Sequence, residues 1–454
     1  MIYNSKKGLW LPGQLVERRS PAIATPPQGM AVRWKTEILD SRHRVVKTQS
    51  GANMITDYGM DQLESANVGV GTTAGANLID YLHLGDTAEV LKRLGGGTTE
   101  LTVTWSDAAT ITLTTDANFF EAGDVGRTLK INGATPWPEM RITAYTSEME
   151  VSATARAGIW LPGFTPPASP AGPYTNFGVH YTSVATLASQ TQRFNTYDTG
   201  SAGNRATVND SANSRWICQR IFLSAEVTGT AWTVNQLGWG SSASTTNCFG
   251  KTNLSSPDVV GVGYKYRVTL QCMMTYAPLN LTGVSLDWGS TIGTHVCDIQ
   301  QERIGKEAST GNHISGEVWK HEWNCMKPEA AVNTSGTRTG FWTSAFSLGG
   351  VYWKDDAGFT DLSSRTRGTE LSGTCVFDSS YTNGQHYKTR RIRWLDTVAM
   401  TNATGFYCGQ RYGGTGPQHM PNLTIRPQSG TITKPSGYWC EIQFPLHWTR
   451  ELVN

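Results

Sequence analysis

Apolar and polar positions alternate in several stretches of the chain, which predicts half-buried β-strands. In the first of them Val32, Trp34, Thr36 and Ile38 fall on one face, and the charged side chains between them fall on the other. The stretches that predict strands are 31–39, 81–85, 217–223, 232–239, 264–271 and 438–444, together with short apolar pairs through 100–153. Residues 53–63 instead predict a short helix. This pattern favours a mostly β fold.

The spacing of these stretches divides the chain. We predict a β-sandwich, jelly-roll-like core with two insertions: a small β-barrel or sandwich module that ends in a Pro-rich linker, and an irregular β region rich in Trp, Gly and Thr. The predicted parts are an extended docking arm at 1–30, the core at 31–97, 174–278 and 436–454, the module at 98–173, and the irregular insertion at 279–435.

Composition supports the β assignment. Of 454 residues, 38% are apolar, 16% are charged and 48 are glycine, with 16 Trp and 16 Tyr. Aromatic residues favour strands and glycine favours turns. The composition excludes a coiled coil, and 10% aromatic residues argue against disorder.

The net charge of +2 provides no long-range field for nucleic acid or an anionic membrane, so neither is expected as a partner. No apolar run reaches the length of a membrane span. The first residues lack the apolar core of a signal peptide, so we expect the chain to stay in the compartment where it is made.

The sequence contains no motif that predicts catalysis. Neither HExxH nor GxSxG occurs. Gly250-Lys251-Thr252 is similar to the end of a phosphate-binding loop, but Thr245 stands where its first glycine is required. No pair of carboxylates can be singled out for acid–base chemistry. We therefore predict no enzyme activity, no catalytic residue, no metal site and no cofactor.

The eight cysteines all lie after residue 217. They are Cys218, Cys248, Cys272, Cys297, Cys325, Cys375, Cys408 and Cys440. No CxxC pair is present, which argues against zinc and thioredoxin chemistry. Two interpretations stay open: buried thiols, which is the usual state of a protein made in the cytosol, and disulfides that form later, outside the cell.

A short repeat marks two possible docking segments. Gly8–Gly13 (GLWLPG) recurs as Gly158–Gly163 (GIWLPG), and a Pro-rich stretch follows each copy. The candidate docking residues are Trp10, Pro12, Trp160 and Pro162. Either these Trp side chains enter a pocket of a neighbouring molecule, or a linker holds them against their own domain.

Four tryptophans fall close together in the irregular insertion: Trp319, Trp323, Trp342 and Trp353. Aromatic side chains of this kind pack cores, anchor protein interfaces and stack on sugar rings. All three uses remain open, so the group is a candidate interface or glycan surface.

Two segments resemble a known class of proteins. The stretch from Ala31 to Leu63 contains Asn53, Ile55, Thr56, Gly59, Met60, Asp61 and Leu63 in the pattern N-[LM]-I-T-x-x-G-[LM]-D-x-L, and LHLGD follows at 82–86. This resembles the opening of virion proteins of tailed bacteriophages. The stretch Phe120–Gly133, with its DVGR and LKING sequences, and the following Arg141–Ser147 are similar to a small β module common in phage tail fibres and tail spikes.

The resemblance implies a structural role in a tailed phage particle, as a tail fibre, tail tip or collar protein. It implies other virion proteins as partners, a homo-oligomer such as a trimer or hexamer, no membrane insertion, and a location in the virion after synthesis in the host cytoplasm. A receptor-binding protein that contacts host surface glycan and a head decoration protein are the alternatives. The chain lacks the regular repeats of enzymatic tail spikes, which argues against depolymerase activity.

Overall fold

The structure is a computed structural model. It describes residues 2–4, 9–11, 21, 28–52, 54–62, 79, 81–132, 137–155, 160, 164–198, 205–210, 215–240, 247–275, 280–301, 351–354, 369–371, 373–377, 384–394, 399–411, 419–438 and 440–450, with side chains in most of these segments.

Strands account for most of the described chain, as the alternating pattern predicts. Through residue 180 the elements are β1 (Ile2–Asn4), β2 (Leu9–Leu11), β3 (Gln28–Leu39), β4 (Val45–Ala52), β5 (Met54–Ile55), α1 (Asp57–Gln62), β6 (Tyr81–Gly85), β7 (Lys92–Gly95), β8 (Leu101–Asp107), β9 (Thr110–Thr115), a 3-10 turn (Ala122–Asp124), β10 (Thr128–Ile131), β11 (Met140–Ser147), β12 (Glu150–Ala155), β13 (Ala171–Tyr174) and β14 (Phe177–His180).

The remaining elements are also strands. They are β15 (Gln190–Phe194), β16 (Arg205–Asp210), β17 (Arg215–Leu223), β18 (Trp232–Gly240), β19 (Gly250–Val260), β20 (Lys265–Thr275), β21 (Asn280–Asp287), β22 (Thr294–Gln301), β23 (Val351–Lys354), β24 (Thr369–Leu371), β25 (Gly373–Phe377), β26 (Tyr387–Trp394), β27 (Met400–Ala403), β28 (Gly405–Arg411), β29 (His419–Pro427), β30 (Ile432–Lys434) and β31 (Cys440–Arg450).

Two packed sheets form the predicted β-sandwich. The front sheet has the order β16-β17-β20-β3-β31-β26-β25, with β4 also paired to β3, and the back sheet has the order β15-β6-β18-β19-β5. One apolar core lies between them, to which Val32, Trp34 and Val268 contribute from the front and Leu82 and Trp239 from the back. The alternation seen in β3 thus places its apolar face in the core.

Several polar side chains next to this core are joined by hydrogen bonds to one buried carboxylate. Thr36, the polar member of the buried face of β3, donates a hydrogen bond from Oγ1 to Asp258 Oδ2 at 2.8 Å, and Tyr266 Oη donates to the same oxygen at 2.7 Å. Lys47 Nζ lies 2.9 Å from the other carboxylate oxygen. Burial, and then the Asp258 charge, raise the pKa of Tyr266 well above its usual value. A buried carboxylate is therefore paired and joins both sheets.

The inserted module is an eight-stranded sheet in the order β13-β8-β9-β12-β11-β10-β14-β7, which does not close into a barrel in the described residues. It folds around its own core, which contains Leu113, Leu129, Trp137 and Phe177. Its outer strands β14 and β7 fall in segments that the sequence-based division assigned to the sandwich. Met149, predicted to pair with Val151 in a strand, is exposed and precedes β12.

The stretch after residue 278 contributes to three sheets, one of which is the two-stranded pair β27–β30. Strands β21-β22-β29-β28-β23-β24 form a six-stranded C-terminal sheet, while β25 and β26 extend the front sheet beside β31. The strand predicted at 438–444 is confirmed as the start of β31. This strand runs parallel to the start of β3 and antiparallel to β26. The sequence around these strands carries no local signal for parallel pairing between strands so far apart, and none for the irregular register of the C-terminal sheet.

Two further segments differ from the sequence prediction. The first residues, expected to lack strands, contain the antiparallel pair β1–β2, in which Tyr3 faces Trp10. Residues 200–214, which contain no predicted strand, include β16, which pairs with β17 at the edge of the front sheet. An edge strand needs a partner on one side only, so it can form with few apolar residues, here Ala206 and Val208.

Candidate functional site

The described residues of the first sequence motif lie in α1 or just before it, while Asn53 and Leu63 fall outside the described residues. Three parts of the chain meet at this helix, and we call this place the α1 junction. Thr56 precedes the helix and caps it, because its Oγ1 accepts a hydrogen bond from Gly59 N at 3.0 Å. The same hydroxyl donates to Cys248 O at 2.7 Å, and Thr56 N donates to Phe249 O at 3.0 Å. One threonine thus starts the helix and holds it on the back sheet.

Gly59 allows this close approach. A Cβ atom at Gly59 would lie 2.0 Å from Phe249 O and 2.8 Å from the carbonyl carbon, both of them backbone atoms. The next residue, Met60, is fully buried in the sandwich core. Packing therefore explains why the motif has threonine, glycine and methionine at these three positions.

Arg450, near the end of β31, connects the α1 junction to the inserted module. Its guanidinium is fully buried and lies 2.5 Å from Asp57 Oδ1 and 3.4 Å from Glu139 Oε2. Lys130 of β10 donates from Nζ to Arg450 O at 3.0 Å. Asp57 N also donates to Thr182 O at 2.7 Å. A cation from the last strand is thus shared between carboxylates of the core and of the module.

Asp61 and Trp448 complete the α1 junction on its other side. Asp61 Oδ1 accepts a hydrogen bond from Gly384 N at 2.7 Å and lies 3.6 Å from His386 Nε2. The His386 ring stacks on Trp448 with centroids 6.3 Å apart, and Trp448 Nε1 donates to Met60 O at 2.9 Å. The motif aspartate therefore holds the turn that leads into β26.

His180 is a buried titratable group beside these charges. Burial lowers its pKa to about 4; Glu139 acts in the opposite direction, while Lys92, Arg450 and Lys130 lower it further. The ring is consequently neutral at neutral pH, although it stands close to a carboxylate.

We expect acid to weaken the contact between module and core through His180. In the unfolded chain the His180 ring takes up a proton below about pH 6.5, but in the folded chain it does so only near pH 4. The contribution of His180 to the free energy of unfolding is therefore fully present above pH 6.5 and is lost as the pH falls through 4. The loss is at most about 3 kcal/mol. Urea unfolding between pH 7 and pH 4 should show a shallower pH slope in His180→Gln than in the wild type. A His180→Gln protein with the wild-type slope would contradict this role of His180.

The second sequence motif is a charged turn inside the module. Asp124, whose side chain is fully buried, accepts hydrogen bonds from Glu121 N at 2.9 Å and from Arg127 Nη1 at 3.1 Å, and it forms an ion pair with Arg93. The Arg127 guanidinium also lies 3.4 Å from the centre of the Tyr181 ring. The DVGR sequence therefore builds the turn into β10.

The candidate docking residues lie partly outside the described chain. Of Trp10 only the backbone in β2 is described, and Pro12 and Pro162 fall outside the described residues. Trp160 is half-buried against its own module, with its ring 5.6 Å from that of Trp105 and 6.1 Å from that of Trp137. For Trp160 the structure thus favours the second interpretation, a side chain held on its own domain.

The side chains of the four candidate interface or glycan residues all lie outside what the structure describes. Trp319, Trp323 and Trp342 lie outside the described residues, and for Trp353 only its backbone position in β23 is described, opposite Phe406 and Thr369. Their use stays a prediction.

Four of the eight cysteines have described side chains, and all four are buried: Cys248, Cys272, Cys297 and Cys440. Burial raises the pKa of Cys248 and of Cys297 to about 12, and that of Cys440 well above its usual value. Cys218 is the register partner of Cys272 on neighbouring strands. Cys375 and Cys408 are placed by backbone in β25 and β28, and Cys325 lies outside the described residues. Late disulfides stay a prediction.

We expect the buried thiols at Cys248, Cys297 and Cys440 to resist alkylation in the folded protein, because only the thiolate reacts and burial disfavours it. Iodoacetamide at pH 8 should label them in urea but leave them unlabelled in native buffer over the same time, as read by peptide mass spectrometry. Rapid labelling of these residues in the native protein would contradict the burial described here.

Several residues of the α1 junction carried no sequence signal. Arg450, Glu139 and His180 are isolated titratable residues in unremarkable stretches, and they meet only because β31, β14 and the segment before β11 converge. Lys251, seen in the sequence only within an incomplete phosphate-loop pattern, is a fully buried residue of β19.

Neither a metal centre nor a membrane span emerges from the segments described above. Within them, no three His, Cys, Asp or Glu side chains are grouped so that they could hold a metal ion. No helix among them has the length and apolar character needed to cross a bilayer.

In comparisons with protein-family models, curated proteins and solved structures, nothing matched this chain.

Proposed function

We propose that this protein is a structural component of a tailed bacteriophage particle, in the tail or collar, and that it acts by assembly and protein–protein binding. The α1 junction is the observation that carries the proposal. Of the residues through which the chain resembles virion proteins, Ile55, Thr56, Gly59, Met60 and Asp61 are described, while Asn53 and Leu63 lie outside the described residues. Contacts of Thr56, Met60 and Asp61 join α1 to the back sheet, to β31 and to the turn before β26. A shared architecture would require such contacts.

The use of polar side chains supports binding rather than turnover. Catalytic groups need access to a substrate. In the described chain the strongest polar groupings, around Arg450, Asp124 and Asp258, are buried and bonded within the protein. They contribute stability and define a shape.

Exposed valines at one end of the sandwich suit a contact with a neighbouring subunit or another virion protein. Val45 and Val46 are about half exposed at the start of β4, and Val259 and Val262 are exposed at the β19–β20 turn. Leu39 pairs with both Val45 and Lys265, so these segments adjoin. Apolar surface of this kind is buried at protein interfaces.

Density-gradient sedimentation of particles from lysed host cells tests the proposal. We expect the chain to move with the particles, in a copy number that is a multiple of three or six, and to remain with them after washing in high salt. If the chain stays at the top of the gradient with soluble proteins, the proposal is wrong.

A further inference from the structure

An amine, a carboxylate and an amide meet on the outer face of the back sheet, and no part of the proposed function uses them. Lys251 of β19 and Gln236 of β18 are both fully buried. Glu89 Oε1 lies 2.5 Å from Lys251 Nζ and accepts a hydrogen bond from Gln236 Nε2 at 2.7 Å. A single carboxylate oxygen therefore bridges the amine and the nitrogen of the amide.

The Gln236 amide is held in one orientation. Ala188 N donates to its carbonyl oxygen at 3.0 Å, while its nitrogen donates to Asn253 Oδ1 at 3.2 Å as well as to Glu89. The donor on the oxygen polarises the carbonyl towards attack at its carbon, and the acceptors on the nitrogen fix which way the amide points. A hydrogen bond to that oxygen also stabilises the negative charge that develops there in a tetrahedral intermediate.

The chain segment 185–189 covers this place. Lys251 Nζ also donates to Thr186 O at 2.9 Å. Gly238 faces Lys251 on the neighbouring strand, and a Cβ atom there would lie 2.5 Å from Cys248 Sγ and 2.9 Å from Leu187 Cδ2. Glycine at this position allows the segment to lie directly on the sheet. Lys251 and Gln236 are shielded from water, where charges and hydrogen bonds are stronger, and the Glu89 side chain is 22% exposed.

We propose that Lys251 and Gln236 react with each other to form an isopeptide bond between β18 and β19, with Glu89 as the proton carrier. An ion pair alone would need only Lys251 and Glu89. The shared oxygen and the polarised amide supply the remaining requirements of acyl transfer: a base for the amine, an acid for the leaving nitrogen and a donor for the oxyanion.

The reaction balances without any oxidant or cofactor. Glu89 takes a proton from the Lys251 ammonium, and the free amine attacks Gln236 Cδ to form the new C–N bond. The protonated Glu89 then gives its proton to Nε2, the old C–N bond breaks and ammonia leaves. Glu89 next takes the extra proton from Nζ and passes it to the ammonia. The products are one secondary amide, one ammonium ion and Glu89 as it began.

Intact-mass spectrometry of the purified full-length chain tests the proposal. We expect a mass lower than that of the sequence by one ammonia, and tandem spectra that show a branched peptide joining Lys251 to Gln236. Glu89→Gln, which keeps the shape but lacks the base, should retain the full mass. Glu37→Gln is the matched control, because Glu37 also accepts a hydrogen bond from a lysine Nζ, at 2.6 Å, and it should leave the cross-link intact.

The wild-type chain alone decides the outcome if Glu89→Gln does not fold. A cooperatively unfolding wild-type protein that keeps its full mass after long incubation would overturn the proposal. So would an ammonia loss that maps to Asn132-Gly133 or Asn383-Gly384, where succinimide forms, and that disappears after mild base. The isopeptide bond should survive that treatment. The inference does not depend on the proposed function.

Discussion

Arg450→Met should destabilise the protein by about 3–5 kcal/mol, because it removes a buried cation from beside the buried carboxylate of Glu139 and the partly exposed carboxylate of Asp57. Methionine keeps much of the aliphatic volume, so the loss reports the charge. Asp57 and Glu139 both contact this guanidinium, at 2.5 and 3.4 Å. Urea unfolding at pH 7, followed by tryptophan fluorescence, measures the change.

An ion pair with an exposed arginine provides the control for this experiment. Arg44 pairs with Asp40 at 2.8 Å, and the side chain of Arg44 is 69% exposed while that of Asp40 is 10% exposed. Arg44→Met should cost less than about 1 kcal/mol, since water screens the arginine and Asp40 keeps its hydrogen bonds from Arg42 N and Arg44 N. Adding Asp57→Asn and Glu139→Gln to Arg450→Met should recover part of the lost stability. Equal effects of Arg450→Met and Arg44→Met would show that the α1 junction does not hold module and core together.

Gly59→Ala should cost about 3 kcal/mol or more, the upper range for forcing atoms into a packed interior. The new Cβ would lie 2.0 Å from the Phe249 carbonyl oxygen, which is a backbone atom and not the end of a flexible side chain. The helix would have to move away from the back sheet, which would also break the Thr56 hydrogen bonds to Cys248 O and Phe249 O. Thermal unfolding monitored by circular dichroism measures the loss.

Gly123→Ala is the matched control for this substitution. Its nearest neighbour to a new Cβ would be Arg127 Nη2 at 3.8 Å, an ordinary contact. The change should be neutral or slightly stabilising, because alanine reduces the freedom of the unfolded chain. A Gly59→Ala protein as stable as Gly123→Ala would contradict the close approach of α1 to β19.

The sequence was most informative where one face of a strand is buried and the other exposed. Alternation of period two correctly predicted β3, β20 and the start of β31, because the side-chain period of a strand decides which residues face the core. The short helix was predicted within 53–63, where Thr56 and Asp57 are both suitable caps and Ile55, Met60 and Leu63 supply an apolar face. In each case the information lies within about ten neighbouring residues.

Pairing over long distances could not be predicted in the same way. Arg450 and Asp57 are 393 positions apart, and neither has a neighbour that signals the other. Strand β16 has only two apolar residues, and the stretch 279–435 shows little alternation, since an edge or an irregular register relaxes the requirement for it. The bridged arrangement of Lys251, Glu89 and Gln236 depends on three segments that converge only in the fold.

Immunogold electron microscopy of purified phage particles tests the central claim, that this chain is a structural part of the virion. With antibodies against the folded protein, we predict gold at one constant place on the tail or collar of most particles. Label at the distal tip would point towards host recognition, and label on the head towards decoration. Particles that stay unlabelled, while the same antibodies detect the chain in the soluble lysate, would contradict the claim.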